Sequence, residues 1–417
     1  MSKTTEGSMR LRVKQRLDYM LGGAGIGVLK PLALLLGALL RRDHALIVKD
    51  RVAIIKMLGG GSLVIALPAL LGLRRQYPHL RLSLATTSAL KPFAEVLAVF
   101  DDILTVDDKS LFTLCVSGMR LLQRLFRVDT ILDFEVYSKL TTVFSTLTCA
   151  RNRISFYLGS TFWRQHIATH LIFFNRFAGS FHFYEAAVAA LGAEPASRVG
   201  CAFHVARANG IEVYESPRNG RISICNAPSR ICVAPACSAL SKERMLTGSQ
   251  WERVLPRLVG EAEEVVVLGG PADAAIADSL IKHGQRVLPD IAWVNACDGR
   301  SLRESLHVLA GCARLIAIDS SLLHFGRLFG IPTVSFWGPT APMTLLKDAP
   351  GPAEEVWYEK VRCSPCIHVA ETPPCFGQNI CIEAAVRRCC GEEISSITKA
   401  AHLLPFTGRD RTGSGLY

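Results

Sequence analysis

One run of this 417-residue chain places a carboxylate, two hydroxyls and an imidazole where they suit phosphate chemistry: Asp319-Ser320-Ser321-Leu322-Leu323-His324. Before it, residues 315–318 are apolar. After it come helix-forming residues, Gly330, Pro332, a second apolar run over 333–337, and Gly338-Pro339-Thr340. Short apolar runs bounded by turn residues read as buried parallel strands. Gly330 and Pro332 end the helix between them. The result is a βαβ unit whose helix opens on small polar residues. Its free N–H groups and the positive end of its dipole favour a diphosphate. His324, four residues past Ser320, falls on the same face one turn further in.

The elements that would position a second set of groups lie in the first half. Residues 51–56 read as a buried strand ended by Lys56, followed by the turn Gly59-Gly60-Gly61-Ser62 and a helix over 63–77 bent at Pro68. A further strand follows at 81–85. Strand, glycine-rich loop and helix put Ser62 at the carboxyl edge of an open sheet, where such folds bind ligands. Residues 130–135 end another strand and carry Asp133 and Glu135, two apart and so on one side, directed at the same edge. The other reading is that one of them caps the helix from Ser138 and the other is solvated.

Residues 151–176 are basic and aromatic and suit a phosphate-bearing ligand. His166 and His170 within them, four apart on a helix, lack a third ligand, so no metal is expected. Residues 183–191 close this half with a helix, and 193–218 suit a connection. In the second half, 222–225 and 231–234 read as strands paired around Asn226. Pro235 to Ser238, Lys242 and a helix from Ser249 with Trp251 come next. A strand over 265–268 then ends at Gly269-Gly270-Pro271 and Asp273. Cys363, Cys366, Cys375 and Cys381 have spacing that four zinc-bound thiolates could adopt, or they are plain reduced thiols.

Lys and Arg number 47 against 36 Asp and Glu, a net charge of +11. Nine cations against four acids fall in residues 1–50, which points to an anionic surface near the N-terminus. Residues 20–40 carry one charge, Lys30, beside Pro31, between basic flanks at 10–16 and 41–42. An interfacial or re-entrant helix pair on anionic lipid is the expected form, with a membrane span or simple packing as alternatives. Of the fourteen cysteines, several lie in apolar strand-like contexts such as Ile224-Cys225 and Ile231-Cys232, which fits reduced thiols in the cytoplasm. No cleavable signal pattern is evident. No interleaving of basic and aromatic residues suggests base stacking, so nucleic acid is not an expected partner.

The order of these pieces from about residue 51 to 340 resembles the lipopolysaccharide heptosyltransferases, glycosyltransferase family 9. That family has Asp-(Thr/Ser)-Gly-x-x-His, helix, Gly-x-Pro, strand and Phe-Gly-Pro-Thr; this chain has Asp319-Ser320-Ser321-x-x-His324, Gly330-Ile331-Pro332 and Trp337-Gly338-Pro339-Thr340. The resemblance implies an α/β fold of the GT-B type, two Rossmann-like domains facing across a cleft; the apolar and basic N-terminal extension lies outside it. The expected division is 1–47 extension, 48–215 acceptor domain, 216–405 nucleotide-sugar domain and 406–417 tail.

The implied reaction is inverting transfer of a sugar, heptose from an ADP-sugar, to a lipid-linked saccharide, without a cofactor or metal. The work would be done on the cytoplasmic face of the membrane, with residues 10–42 at its surface. Donor binding is implied for Ser238, Lys242, Asp273, Asp319, Ser320, Ser321, Leu322 and His324, with Lys242 also beside the departing diphosphate. The family's general base is an aspartate, and Ser62 stands in its place here. Serine has no suitable pKa for that task. The base then falls to Asp133 or Glu135. Ala236 and Arg244 also depart from the family pattern, at a Gly and a Trp. A nucleotide-sugar-binding protein without turnover and a nucleotide-sugar epimerase of similar architecture are the competing functions.

Overall fold

The computed structural model describes residues 11–41, 43–215, 222–224, 227–237, 242–367, 375 and 378–394. The chain divides into two compact units, Met1–Gly210 and Ile211–Tyr417.

The first unit runs α1 (Leu11–Leu40), β1 (Arg51–Ile55), α2 (Gly60–Gln76), β2 (Arg81–Thr87), α3 (Lys91–Leu97), β3 (Asp102–Val106), α4 (Leu111–Leu125), β4 (Thr130–Asp133), α5 (Lys139–Leu147), β5 (Asn152–Tyr157), β6 (His170–Phe173), α6 (Ser180–Ala189) and α7 (Arg198–Asn209). The strands make one parallel sheet in the order β3-β2-β1-β4-β5-β6. All of Val52, Ala53, Ile54 and Ile55 are buried, as apolar runs covered on both faces must be. Leu63, Leu67, Leu70 and Leu73 recur at helical spacing along α2 and are fully buried. Each such leucine contributes about 2 kcal/mol by leaving water.

The second unit runs β7 (Val213–Glu215), β8 (Ile222–Ile224), β9 (Ala227–Ala234), α8 (Gly248–Val259), β10 (Glu264–Val267), α9 (Ala274–Val287), β11 (Ala292–Asn295), α10 (Leu302–Ala310), β12 (Cys312–Ile318), α11 (Ser321–Leu328), β13 (Thr333–Trp337), α12 (Pro342–Leu345), β14 (Glu354–Tyr358) and α13 (Ile380–Cys390). Its parallel sheet, β11-β10-β9-β12-β13-β14, repeats the permutation of the first. In each sheet the order reverses between the first and fourth strands, β1/β4 and β9/β12. That is the switch point where open α/β sheets take ligands. Trp251 on α8 meets Phe336 on β13 edge-on, ring centres 6.4 Å apart, in the core of this unit.

Four expectations need correction. Residues 20–40 are not a helix pair: α1 is one helix that continues through Pro31. Pro31 has no N–H to give to the Gly27 carbonyl one turn back, and the helix runs on past that missing bond. Gly60, Gly61 and Ser62 lie in the first turn of α2; only Gly59, at φ +86°, forms the turn. Ile222–Ile224 pairs antiparallel with Val213–Glu215 and not with β9, which enters the main sheet. The stretch expected as a bare connection contains α7, whose Ser197 caps it by accepting from Gly200 N–H at 3.1 Å.

Candidate functional site

In the second unit, Asp319 closes β12 and Ser320 caps α11 in extended backbone, φ −150° and ψ 167°. Asp319 is 3 % exposed, so its charge must be matched by donors. Arg244 provides them from a short 3₁₀ turn, Lys242–Arg244, donating from Nη1 to the Asp319 carbonyl at 2.9 Å and to Oδ2 at 3.2 Å. Thr340 Oγ1 donates to the same Oδ2 at 2.8 Å. Sequence reasoning counted Arg244 only as a departure from a tryptophan. Its partner lies 75 residues away, so no local signal could reveal the pair.

Ser320 Oγ is buried and has no hydrogen-bond partner among the described residues, a placement that costs free energy unless a ligand supplies one. Behind it α11 carries no acidic residue in its first turn, and the amides of half-buried Ser321 and Leu322 lie among those the helix leaves unpaired. Gly326 lets the helix settle on β12, since a Cβ there would stand 2.6 Å from Leu315 Cδ2. His324 Nε2 lies 3.8 Å from Asp319 Oδ1. Burial pushes the His324 pKa down to about 4; Arg327 and Arg244 add to this, and Asp319 opposes it. The imidazole is therefore neutral at pH 7.

The remaining donor-side residues are placed less closely. Lys242 is exposed at the start of the 3₁₀ turn. Asp273 Oδ2 accepts from Gly270 N–H at 2.9 Å, so that carboxylate shapes its own loop. Ser238 lies outside the described residues. The cysteine segment braces the Gly338–Thr340 loop: Cys366 N–H donates to Pro339 O at 3.1 Å, and Ser364 Oγ donates to Gly338 O. A Cβ on Gly338 would sit 2.8 Å from Cys381 Sγ. Among the described residues, no three His, Cys, Asp or Glu side chains are grouped to hold a metal ion.

In the first unit, Glu135 Oε1 accepts from Lys56 Nζ at 3.0 Å, Met57 N–H at 2.7 Å and Leu58 N–H at 3.1 Å, joining the ends of β1 and β4. Burial works against the Lys56 charge, yet Glu135 outweighs it and the pKa is raised. Ser62 is hydrogen-bonded to the buried Tyr184 hydroxyl, whose pKa burial raises.

Asp133 does not share the edge with Glu135. It is 1 % exposed and turns into the unit, where Oδ2 takes bonds from Thr141 Oγ1 at 3.0 Å and Arg164 Nη2 at 3.3 Å. Burial pushes its pKa up to about 6, and Arg164 opposes this. Arg164, read from the sequence as a phosphate donor, is fully buried and also reaches the carbonyls of Glu135 and Ser138. Arg151 pairs with Asp43 at 2.8 Å, and Arg153 donates to Ile167 and Ala150 carbonyls. Half of the basic stretch is thus structural. His166 follows a 3₁₀ turn and His170 opens β6, so the two do not share a helix.

Residues 224–374 match the family described as Glycosyltransferase family 9 (heptosyltransferase). No curated protein matches the chain. Among solved structures, a family 9 glycosyltransferase from Veillonella parvula superposes at TM-score 0.56 with 16% identity, over 75% of this chain and 87% of that one. E. coli heptosyltransferase WaaC with ADP-2-deoxy-2-fluoro heptose gives 0.55 and 15%, over 81% and 98%. E. coli ADP-heptose lps heptosyltransferase II gives 0.54 and 12%, over 82% and 99%. The matched domain holds the Asp319–Thr340 cluster, and both units carry the α/β sheets of this GT-B fold. Residues 224–374 are thus similar to glycosyltransferase family 9, and the chain as a whole shares the fold of its solved members.

Proposed function

We propose that the protein transfers a sugar from a nucleoside diphosphate donor, an ADP-heptose by likeness to the heptosyltransferases, onto a lipid-linked saccharide with inversion. The observation that carries this reading is the mouth of α11, where the unpartnered Ser320 hydroxyl, two free amides and the Arg244–Asp319 pair converge. WaaC has been solved with ADP and with an ADP-sugar analogue. In the proposed reaction the helix amides, Ser320 and the mobile Lys242 ammonium take up the negative charge of the departing diphosphate. Asp319 orients Arg244 and the Thr340 loop around it. Those donors supply the charge neutralisation that departure requires, so the reading calls for no metal. The reaction is proposed to run on the cytoplasmic face of the membrane.

Glu135 is the carboxylate best placed to accept the acceptor's hydroxyl proton. Only its Oε1 is engaged in hydrogen bonds among the described residues, and Lys56 holds it in place. Ser62 lacks the basicity, and Asp133 is closed off by Arg164 and Thr141. Thermal unfolding with ADP-, UDP- and GDP-sugars tests the donor site: an ADP-sugar should raise the midpoint, and Asp319→Ala should abolish the rise. If no nucleotide sugar shifts the wild type, the reading fails.

Ser62 in the position of the family's aspartate supports a second reading, binding without turnover. An acceptor assay separates the two. Stabilisation by donor with no product in the wild type favours the binder, whereas product formation lost in Glu135→Gln favours the transferase.

A further inference from the structure

Helix α1 has one face fixed to its own unit and another with no partner among the described residues. On the fixed face, Asp18 caps α5: its carboxylate accepts from Ser138 Oγ at 2.5 Å and from the N–H groups of Lys139 and Leu140 at 3.0 Å each. Gly22 and Gly25, each with no room for a Cβ, bring the helix onto Lys139 and Val143, and Ile26 is buried. Both flanks return to the same unit. Lys14 pairs with Asp108 before this stripe, and beyond the helix Asp43 pairs with Arg151 while Ala45 O accepts from Asn152 Nδ2 at 3.1 Å.

The free face is apolar and long. Met20 is 69%, Val28 63%, Leu35 58% and Leu39 70% exposed, and from Pro31 onward leucines point outward all round the helix. Such a surface in water is unfavourable over its whole length, about 45 Å for thirty residues. Besides Lys14, which pairs with Asp108, the helix sequence carries the cations Arg12, Arg16 and Lys30, with Arg41 at its end and Arg10 and Arg42 beyond in the sequence. The nearby acids Asp18 and Asp43 are already spent on α5 and Arg151. A second copy packed on this face would bring these cations together without acids to match them. A layer of anionic headgroups over acyl chains matches both the charge and the apolar stripe.

We infer that α1 lies flat in a single leaflet of an anionic lipid bilayer and does not cross it. By length and composition alone the helix could span. A span needs about 20 residues inside the hydrocarbon. Here Gly22, Gly25 and Ile26 are occupied by α5, and both ends are bound to one unit, so crossing would drag α5 into the membrane or break every one of these contacts. The inference is independent of the transferase reading.

The test is flotation of the full chain with phosphatidylcholine vesicles, with and without phosphatidylglycerol. The protein should float with the anionic vesicles, and Leu35→Lys/Leu39→Lys should lower the bound fraction more than about tenfold while leaving the unfolding midpoint unchanged. In Leu36→Trp, the added fluorescence should shift to the blue and be quenched most by bromines near the headgroup end of the acyl chains. Failure to float, undiminished binding by the double-lysine variant, or a concentration-dependent dimer that this variant dissociates would each overturn the inference. Strongest quenching from the bilayer centre would show a span and overturn it too.

Discussion

Arg244 donates from one nitrogen to both the backbone carbonyl and the carboxylate of Asp319. It thereby joins the loop after β9 to the end of β12 across the switch point of the second sheet. In the first sheet Lys56 and Glu135 make the equivalent connection between β1 and β4. Each sheet thus ties its switch-point edge with a cation and a carboxylate.

Arg244→Ala removes this clasp and leaves the buried Asp319 carboxylate with the Thr340 hydroxyl and the neutral His324 ring beside it. A hydrogen bond to a charged group is worth about 1.5–3 kcal/mol. Donor-dependent kcat/KM should therefore fall about 10- to 150-fold, mostly through KM for the donor, with Arg244→Lys recovering part of it. Steady-state kinetics with varied donor concentration measures the split.

Arg164→Met should destabilise the first unit by about 3–5 kcal/mol, because it leaves the buried Asp133 charge without its paired cation. Asp133→Asn/Arg164→Met together should cost less than Arg164→Met alone. Urea unfolding of the three proteins checks this, and equal losses in the single and double variants would contradict it.

Acid should weaken the second unit through His324. Its folded pKa, about 4, lies below the ordinary 6.5, so its contribution is fully present above 6.5 and is lost as pH falls toward 4. Asp133, raised to about 6 from 3.8, acts with the opposite sign: its penalty is full above 6 and disappears as pH falls toward 3.8. Relative to wild type, His324→Gln should gain stability on acidification from pH 6.5 to 4, and Asp133→Asn should lose it. Unfolding midpoints measured across that range give the two slopes.

Gly338→Ala should loosen the Thr340 loop, since the new methyl would press on Cys381 Sγ and Ile382. Overpacking of this kind costs about 1–3 kcal/mol. The expected result is a lower unfolding midpoint and a weaker response to donor, both partly restored by Cys381→Ala.

The βαβ unit around Asp319 was legible in the sequence because its signals are local. Two apolar runs, Ser320 at the helix start and Gly330-Ile331-Pro332 at its end fix the elements within a few residues. Asp133 and Glu135 were legible as a strand end but not as two separate environments. Their divergence depends on Arg164 and Thr141 on one side and Lys56 on the other, which only tertiary packing brings in. The continuity of α1 was hidden for a similar reason. Pro31 and four glycines argue locally against one helix, and the close approach of Gly22 and Gly25 to α5 is what makes those glycines useful.

The capping of α5 by Asp18 has a practical corollary for anyone wishing to handle this protein in plain buffer. Trimming away the first forty residues removes the greasy leucines, but it also strips three hydrogen bonds from the start of α5 and bares the surface beside Val143. Lysines placed on the outward leucines would improve solubility while keeping the scaffold whole. Shortening the polypeptide would exchange one sticky surface for another.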